Sequence, residues 1–177
     1  NTLFELGSNS KAFTALGIFY LEKKGLLSLK DPVKKYIPWF NVNYEGYYDG
    51  KHIDSEVELS IENLLYQTSG IPFKTIGDIP EGESDDMLEK TVRMLENINY
   101  DVLGLIIQNI SGLSYEEFIK ENILIPLGLN DTYMFRTSAL ETERMSKGYK
   151  GSFFSSKEYN APIYRGNTPA GYFISSA

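Results

Sequence analysis

Residues 99–112, Asn-Tyr-Asp-Val-Leu-Gly-Leu-Ile-Ile-Gln-Asn-Ile-Ser-Gly, constrain the fold of this chain more than any other stretch. Leu103, Ile106, Ile107 and Ile110 recur at helical spacing and form an apolar stripe. Gly112 follows as a helix stop. A helix this apolar holds together only when its stripe is covered, so other elements must pack on it.

The chain supplies several. Residues 8–24 read as a helix in which Phe13, Leu16, Tyr20 and Lys24 share one stripe. Ala12, Ala15, Phe19 and Lys23 lie beside it, and Gly25 is the expected stop. Asp31 and Pro32 open a short helix that ends before Pro38. Ser60 can cap another over Ile-Glu-Asn-Leu-Leu-Tyr-Gln. Residues 85–98 read as a helix that runs directly into Asn99. Ser114 and Glu117 have the spacing of a capping box, and the helix they start runs to about Leu124, ahead of Pro126. Residues 41–58 read as loop with weak strand, and the tail after Lys147 as strand-like pieces and loops.

Composition narrows the chemistry. With 177 residues and 42% hydrophobic content, the chain can bury one real core and is not a disordered segment. The net charge of -7 argues against a nucleic-acid partner, which would need clustered Lys and Arg. There is no cysteine, so neither a disulfide framework nor a cysteine-based zinc site is available. His52 is the only histidine, which excludes a multi-histidine metal site. A Ser-His-Asp triad would have to use His52, and its run Tyr-Tyr-Asp-Gly-Lys-His-Ile-Asp reads as a surface turn. The acidic loop around residues 76–86 lacks the ligand spacing of an EF-hand and reads as a solvated segment. No apolar run approaches the roughly 20 residues of a membrane span.

The chemistry concentrates at the mouth of the first helix, in Gly-Ser-Asn-Ser-Lys. Ser8 and Lys11 are three residues apart and stack on one helical face. Backbone N–H groups at a helix start are unpaired and create a positive field. That field favours an oxyanion and a neutral lysine amine. A serine needs such a base to become a nucleophile. The competing reading makes Ser8 a helix cap and Lys11 an exposed side chain. Ser10 reads as structural.

The stretch Thr2–Phe40 resembles the serine β-lactamase and penicillin-binding family, in the branch similar to class C β-lactamases and D-alanyl-D-alanine carboxypeptidases. Ser8-x-x-Lys11 matches that group's first motif. The segments Ile-Glu-Asn-Leu-Leu-Tyr-Gln-Thr-Ser-Gly-Ile-Pro, Asn99–Thr132 and Asn-Thr-Pro-Ala-Gly-Tyr-Phe-Ile-Ser-Ser-Ala resemble further family segments in the same order. The resemblance implies an α+β fold, of which these residues are mainly the helical portion, with most of the antiparallel sheet missing. Residues 1–177 are then a single partial domain, lacking N-terminal and C-terminal strands. Without those strands the first helix is expected to expose an apolar face.

The resemblance also implies a serine acyl-transfer hydrolase without cofactor or metal. Ser8 would be the nucleophile, its backbone N–H one oxyanion donor, and Lys11 the proton partner. The partner would be a small-molecule or peptide substrate, either a β-lactam or a D-Ala-D-Ala-like peptide, amide or ester. The expected location is extracytoplasmic, secreted or membrane-anchored. Three departures stand against the pattern. The family's Tyr-x-Asn motif aligns with Leu95-Glu96-Asn97, so Asn97 matches as a substrate-binding residue while Leu95 cannot carry a proton. A segment is expected to be missing near residues 95–99. The third motif, Lys-Thr-Gly or an equivalent, is not found; Lys74-Thr-Ile-Gly and Ser84-Asp-Asp are near misses in the wrong places. The alternative is a catalytically silent relative that binds cell-wall peptide or a partner protein.

Overall fold

A computed structural model describes residues 1–71, 79–95, 99–153, 155–159 and 161–176. A short strand, β1 (Leu3–Glu5), leads through a 3-10 turn at Gly7–Ser10 into helix α1 (Lys11–Lys23). The hairpin β2 (Val42–Tyr48) and β3 (Lys51–Val57) follows, then helices α2 (Ile61–Leu65), α3 (Met87–Leu95), α4 (Asn99–Ser111) and α5 (Tyr115–Ile119). A π turn at Lys120–Leu124 extends α5. Next come β4 (Thr132–Tyr133), α6 (Arg136–Glu141), and the hairpin β5 (Gly148–Ser152) with β6 (Ser155–Tyr159). The one-turn helix α7 (Thr168–Gly171) and strand β7 (Ile174–Ser176) complete it. The molecule is α+β, with helices outweighing small sheets.

Helix α4 is the axis of the core. Tyr100 through Ile107 are all buried, so the helix is covered on every side and not only along the expected stripe. The caps read from sequence are in place. The Ser60 side chain accepts from Asn63 N–H, with the Asn63 side chain returning to the Ser60 backbone. Ser114 and Glu117 form the reciprocal box at α5. Gly25 and Gly112 both stop their helices at φ +72, the left-handed region glycine enters without strain.

Two expectations are corrected. The face that α1 buries is Thr14, Gly17, Ile18 and Leu21, not the stripe through Phe13, Leu16 and Tyr20. Apolar residues lie all round this helix, so periodicity does not select a face. Contact does: a Cβ on Gly17 would stand 2.9 Å from Ile107 Cδ1 and 3.0 Å from Ile119 Cδ1. Glycine lets the two helices come this close without moving either isoleucine. The opposite side is open, with Leu16 and Phe19 each 44% exposed. Residues 42–57 are not loop with weak strand but a full hairpin, paired from Val42↔Val57 to Tyr48↔Lys51. Its tip is Asp49-Gly50, with φ of +48 and +70. This is the two-residue turn whose twist matches that of the strands.

The first and last described segments meet. β7 pairs antiparallel with β1 on one side and β4 on the other, giving the order β1-β7-β4. Phe173 fixes the approach to β7, stacking on Phe13 with ring centroids 4.7 Å apart and meeting Tyr115 edge-on at 6.4 Å. α7 lies on α4 so closely that a Cβ on Gly104 would stand 2.4 Å from Pro169 Cγ. This packing carries the backbone of α7 to the mouth of α1.

Candidate active site

Gly7, at φ +53, turns the chain from β1 into the 3-10 turn. That turn leaves Ser8 exposed and Ser10 buried. In a 3-10 turn residues three apart eclipse one another, so the Ser-x-x-Lys spacing brings the two side chains together even though Ser8 precedes α1 proper. Lys11 Nζ lies 3.2 Å from Ser8 Oγ. Ser8 does not cap α1: the capping position belongs to Ser10, which makes no side-chain cap. Ser10 instead donates to Gly7 O (2.6 Å) and accepts from Phe173 N–H (3.0 Å), tying the helix mouth to the start of β7. Its structural reading fits these bonds.

Lys11 is half-buried and held on three sides. Its Nζ donates to Ala170 O at 2.6 Å, faces Ser8 Oγ, and sits 5.6 Å from the centre of the Tyr100 ring. Burial lowers the pKa of the amine from its ordinary value, and the charge of Asp101 opposes that shift. Tyr100 presents its ring to Lys11 while its hydroxyl donates to Leu65 O at 3.1 Å. Burial raises the pKa of that phenol. The segment after α2 is bound to the same place, since Ser69 Oγ donates to Asn99 Oδ1 at 2.7 Å. Gln67 in that segment holds φ +55, a conformation unusual for a residue with a side chain.

Below Lys11 lies a polar group that the sequence reading did not select. Asp101 is fully buried in α4. Asn167 Nδ2 donates to its Oδ2 at 2.6 Å. Burial pushes the carboxyl up to about 8, while Asn167, the Lys11 charge and the Ala170 backbone N–H pull it down. Asp101 Oδ1 has no hydrogen-bond partner among the described residues. A second buried pair stands nearby. Thr14 Oγ1 donates to Pro169 O at 2.7 Å, which leaves the Tyr115 hydroxyl, also at 2.7 Å, to donate to Thr14. α7 is thus gripped from α1 at Pro169 and Ala170.

The arrangement can activate a serine. A neutral lysine amine that donates one N–H to Ala170 O has its lone pair free for the Ser8 hydroxyl proton. Of the other expected positions, Asn97 and Lys74 lie outside the described residues, and for Leu95 only the backbone at the end of α3 is described. His52 is on the β2–β3 hairpin, its ring 5.1 Å from that of Tyr47 and its Nε2 3.6 Å from Glu45. Among the described residues no cluster of three His, Asp or Glu side chains is placed to hold a metal ion.

The model of the beta-lactamase family matches residues 1–177. The chain belongs to the beta-lactamase family. It is 32% identical over 194 residues to Protein flp of Staphylococcus aureus strain MW2, a match that covers 99% of this chain and 36% of that protein. It is 33% identical over 170 residues to Penicillin-binding protein 4* of Bacillus subtilis strain 168, covering 84% of this chain and 35% of that one. A class C beta lactamase from Rhodobacter sphaeroides has a similar fold, with TM-score 0.67, 27% identity, and coverage of 99% of this chain and 48% of the other. The chain therefore spans about a third of the length of the curated relatives it matches. At the family level the likeness supports a serine acyl-transfer hydrolase.

Proposed function

We propose that Ser8 is the nucleophile of a serine acyl-transfer hydrolase and Lys11 its base. The observation that carries this reading is the 3.2 Å approach of Lys11 Nζ to Ser8 Oγ, fixed by the bond from the same amine to Ala170 O. The neutral amine takes the hydroxyl proton as Oγ bonds to the substrate carbonyl carbon. The carbonyl becomes an oxyanion near the helix mouth, where the positive field lowers its energy. The C–N or C–O bond then breaks, and the proton passes from Lys11 to the leaving atom. Water later cleaves the acyl-enzyme.

The substrates that fit this chemistry are β-lactams and D-Ala-D-Ala-like peptides, amides or esters. The penicillin-binding name of the Bacillus relative supports that class. We further propose an extracytoplasmic location, on family likeness alone.

The test is an intact-mass spectrum of the protein after incubation with a penicillin. The expected result is one penicilloyl adduct, absent in Ser8→Ala. An unmodified wild-type chain overturns the acylating role. A second reading then takes its place, supported by Leu95-Glu96-Asn97 where the family carries Tyr-x-Asn. In that reading the chain is a silent relative that retains cell-wall peptide, and retention on peptidoglycan by Ser8→Ala and wild type alike is its signature.

A further inference from the structure

Lys11 needs more than proximity to serve Ser8. It must stay in place, and it must give up a proton. Both requirements converge on residues that no motif marks. Lys11 holds the carbonyl of Ala170 in α7. Asp101 in turn is fixed by Asn167, which ends the 3-10 turn Arg165–Asn167 immediately before α7. One bond thus joins Asp101 to Asn167 at the foot of α7, and two more run from Ala170 in α7 through Lys11 to the exposed Ser8 hydroxyl. Asp101 belongs to the rigid axis of the core, and Gly104, one turn further along α4, seats Pro169.

We propose that Asp101 is a positioning residue for the Ser8–Lys11 pair: buried in α4 and bonded to Asn167 at the foot of α7, it anchors the backbone that holds the Lys11 amine. This inference deepens the acyl-transfer reading and rests on it. The titratable groups that face Asp101 are Lys11 from α1, Tyr115 from α5 and Tyr172 just beyond α7. Burial raises both phenols, Tyr172 to about 12, so neither ionises between pH 6 and 10. Lys11 also faces the Tyr100 ring, whose phenol burial raises as well, so the opposite charge acting on Lys11 is that of Asp101. An ionised Asp101 favours the ammonium, and removing its charge favours the amine. The bare Oδ1 works in the same direction, because an ionised oxygen without a donor is costly when buried.

The experiment is competitive acetylation of lysines with acetic anhydride across pH 6–11, read by peptide mass spectrometry. It compares wild type, Asp101→Asn and Asn167→Ala, with exposed Lys23 as internal reference. In wild type, Lys11 should reach half-labelling at lower pH than Lys23. In Asp101→Asn that point should fall by a further ~0.5 unit or more, because a neighbouring charge has gone. In Asn167→Ala it should fall by less, because Asp101 is still present but ionises later. Circular dichroism checks each fold, and Asn167→Ala decides the question if Asp101→Asn does not fold. Coincident Lys11 curves in the folded proteins overturn the proposal.

The same samples are labelled with a fluorescent penicillin. Where Ser8 is acylated, the acid limb of its pH profile should move with the Lys11 curve, and a limb that ignores the shift also overturns the proposal. Absence of Ser8 labelling in wild type, beside a shifted Lys11 curve, would instead sink the acyl-transfer reading and leave the control of Lys11 by Asp101 standing.

Discussion

Helix α4 and the β2–β3 hairpin are equally regular, yet they rest on opposite physics. α4 is buried on all sides from Tyr100 to Ile107 and contributes no charge to the surface. The hairpin is mostly exposed, holds its register through backbone pairing and its Asp49-Gly50 tip, and carries Tyr47 at 75% exposure. One element is stabilised by what surrounds it, the other by its own turn. The Ser8–Lys11 pair belongs to the first kind. Its geometry comes from α7 lying on α4, so damage to the core should reach the site and damage to the hairpin should not.

Three measurements break or sharpen that contrast. The largest effect is expected for Ile106→Ala, which empties a fully buried position and should lower stability by about 3 kcal/mol in denaturant unfolding. A loss under about 1 kcal/mol would mean that α4 is not the axis of the core. The second effect is smaller and confined to a pH window. The carboxyl of Asp101 is raised from an ordinary value of 3.8 to about 8. A raised folded-state pKa means that the folded protein binds the extra proton. The contribution of this group to stability is therefore complete below about pH 4 and lost as pH climbs to about 8. In Asp101→Asn the decline over pH 4–8 should be flatter than in wild type, as thermal melts at stepped pH will show. A steeper decline would reverse the sign of the argument. The smallest effect is expected for Tyr47→Ala, within about 0.5 kcal/mol of wild type because the side chain is already in water. A larger loss would show that the hairpin is packed against something in solution.

The two regions also differed in how they could be read from sequence. Caps are local, so Ser60, Ser114 with Glu117, Gly25 and Gly112 were legible from neighbours within one turn. So was the Ser-x-x-Lys pairing, because three-residue spacing fixes proximity in either kind of helix. The buried face of α1 was not legible. It depends on Ile107 and Ile119 meeting Gly17, and those residues are about 90 and 100 positions away. The turn at Asp49-Gly50 was legible as a surface turn, but the strands on either side of it were not, because they are polar and lack alternation. Asp101 carried a signal, as a lone carboxylate inside Tyr-Asp-Val-Leu-Gly-Leu-Ile-Ile. A charge at a position where every neighbour is apolar is costly unless it is paired. Its partner Asn167 is 66 residues distant and invisible to any local pattern.

The bond from Lys11 to Ala170 spans 159 residues, and the bond from Phe173 to Ser10 spans 163. Time enters through that separation. A ribosome adding 5–20 residues per second needs roughly 8–30 seconds to travel from Lys11 to Ala170. Throughout that interval the helix mouth exists without the carbonyl that holds its lysine and without the strand that closes over its first turn. α1 and α4 can meet earlier through Gly17 and Ile107, before α7 and Phe173 arrive to cover them. The Ser8–Lys11 geometry is thus among the last parts of this region to be assembled during synthesis. A nascent chain halted before Ala170 should hold α1 against α4 beside an unformed site.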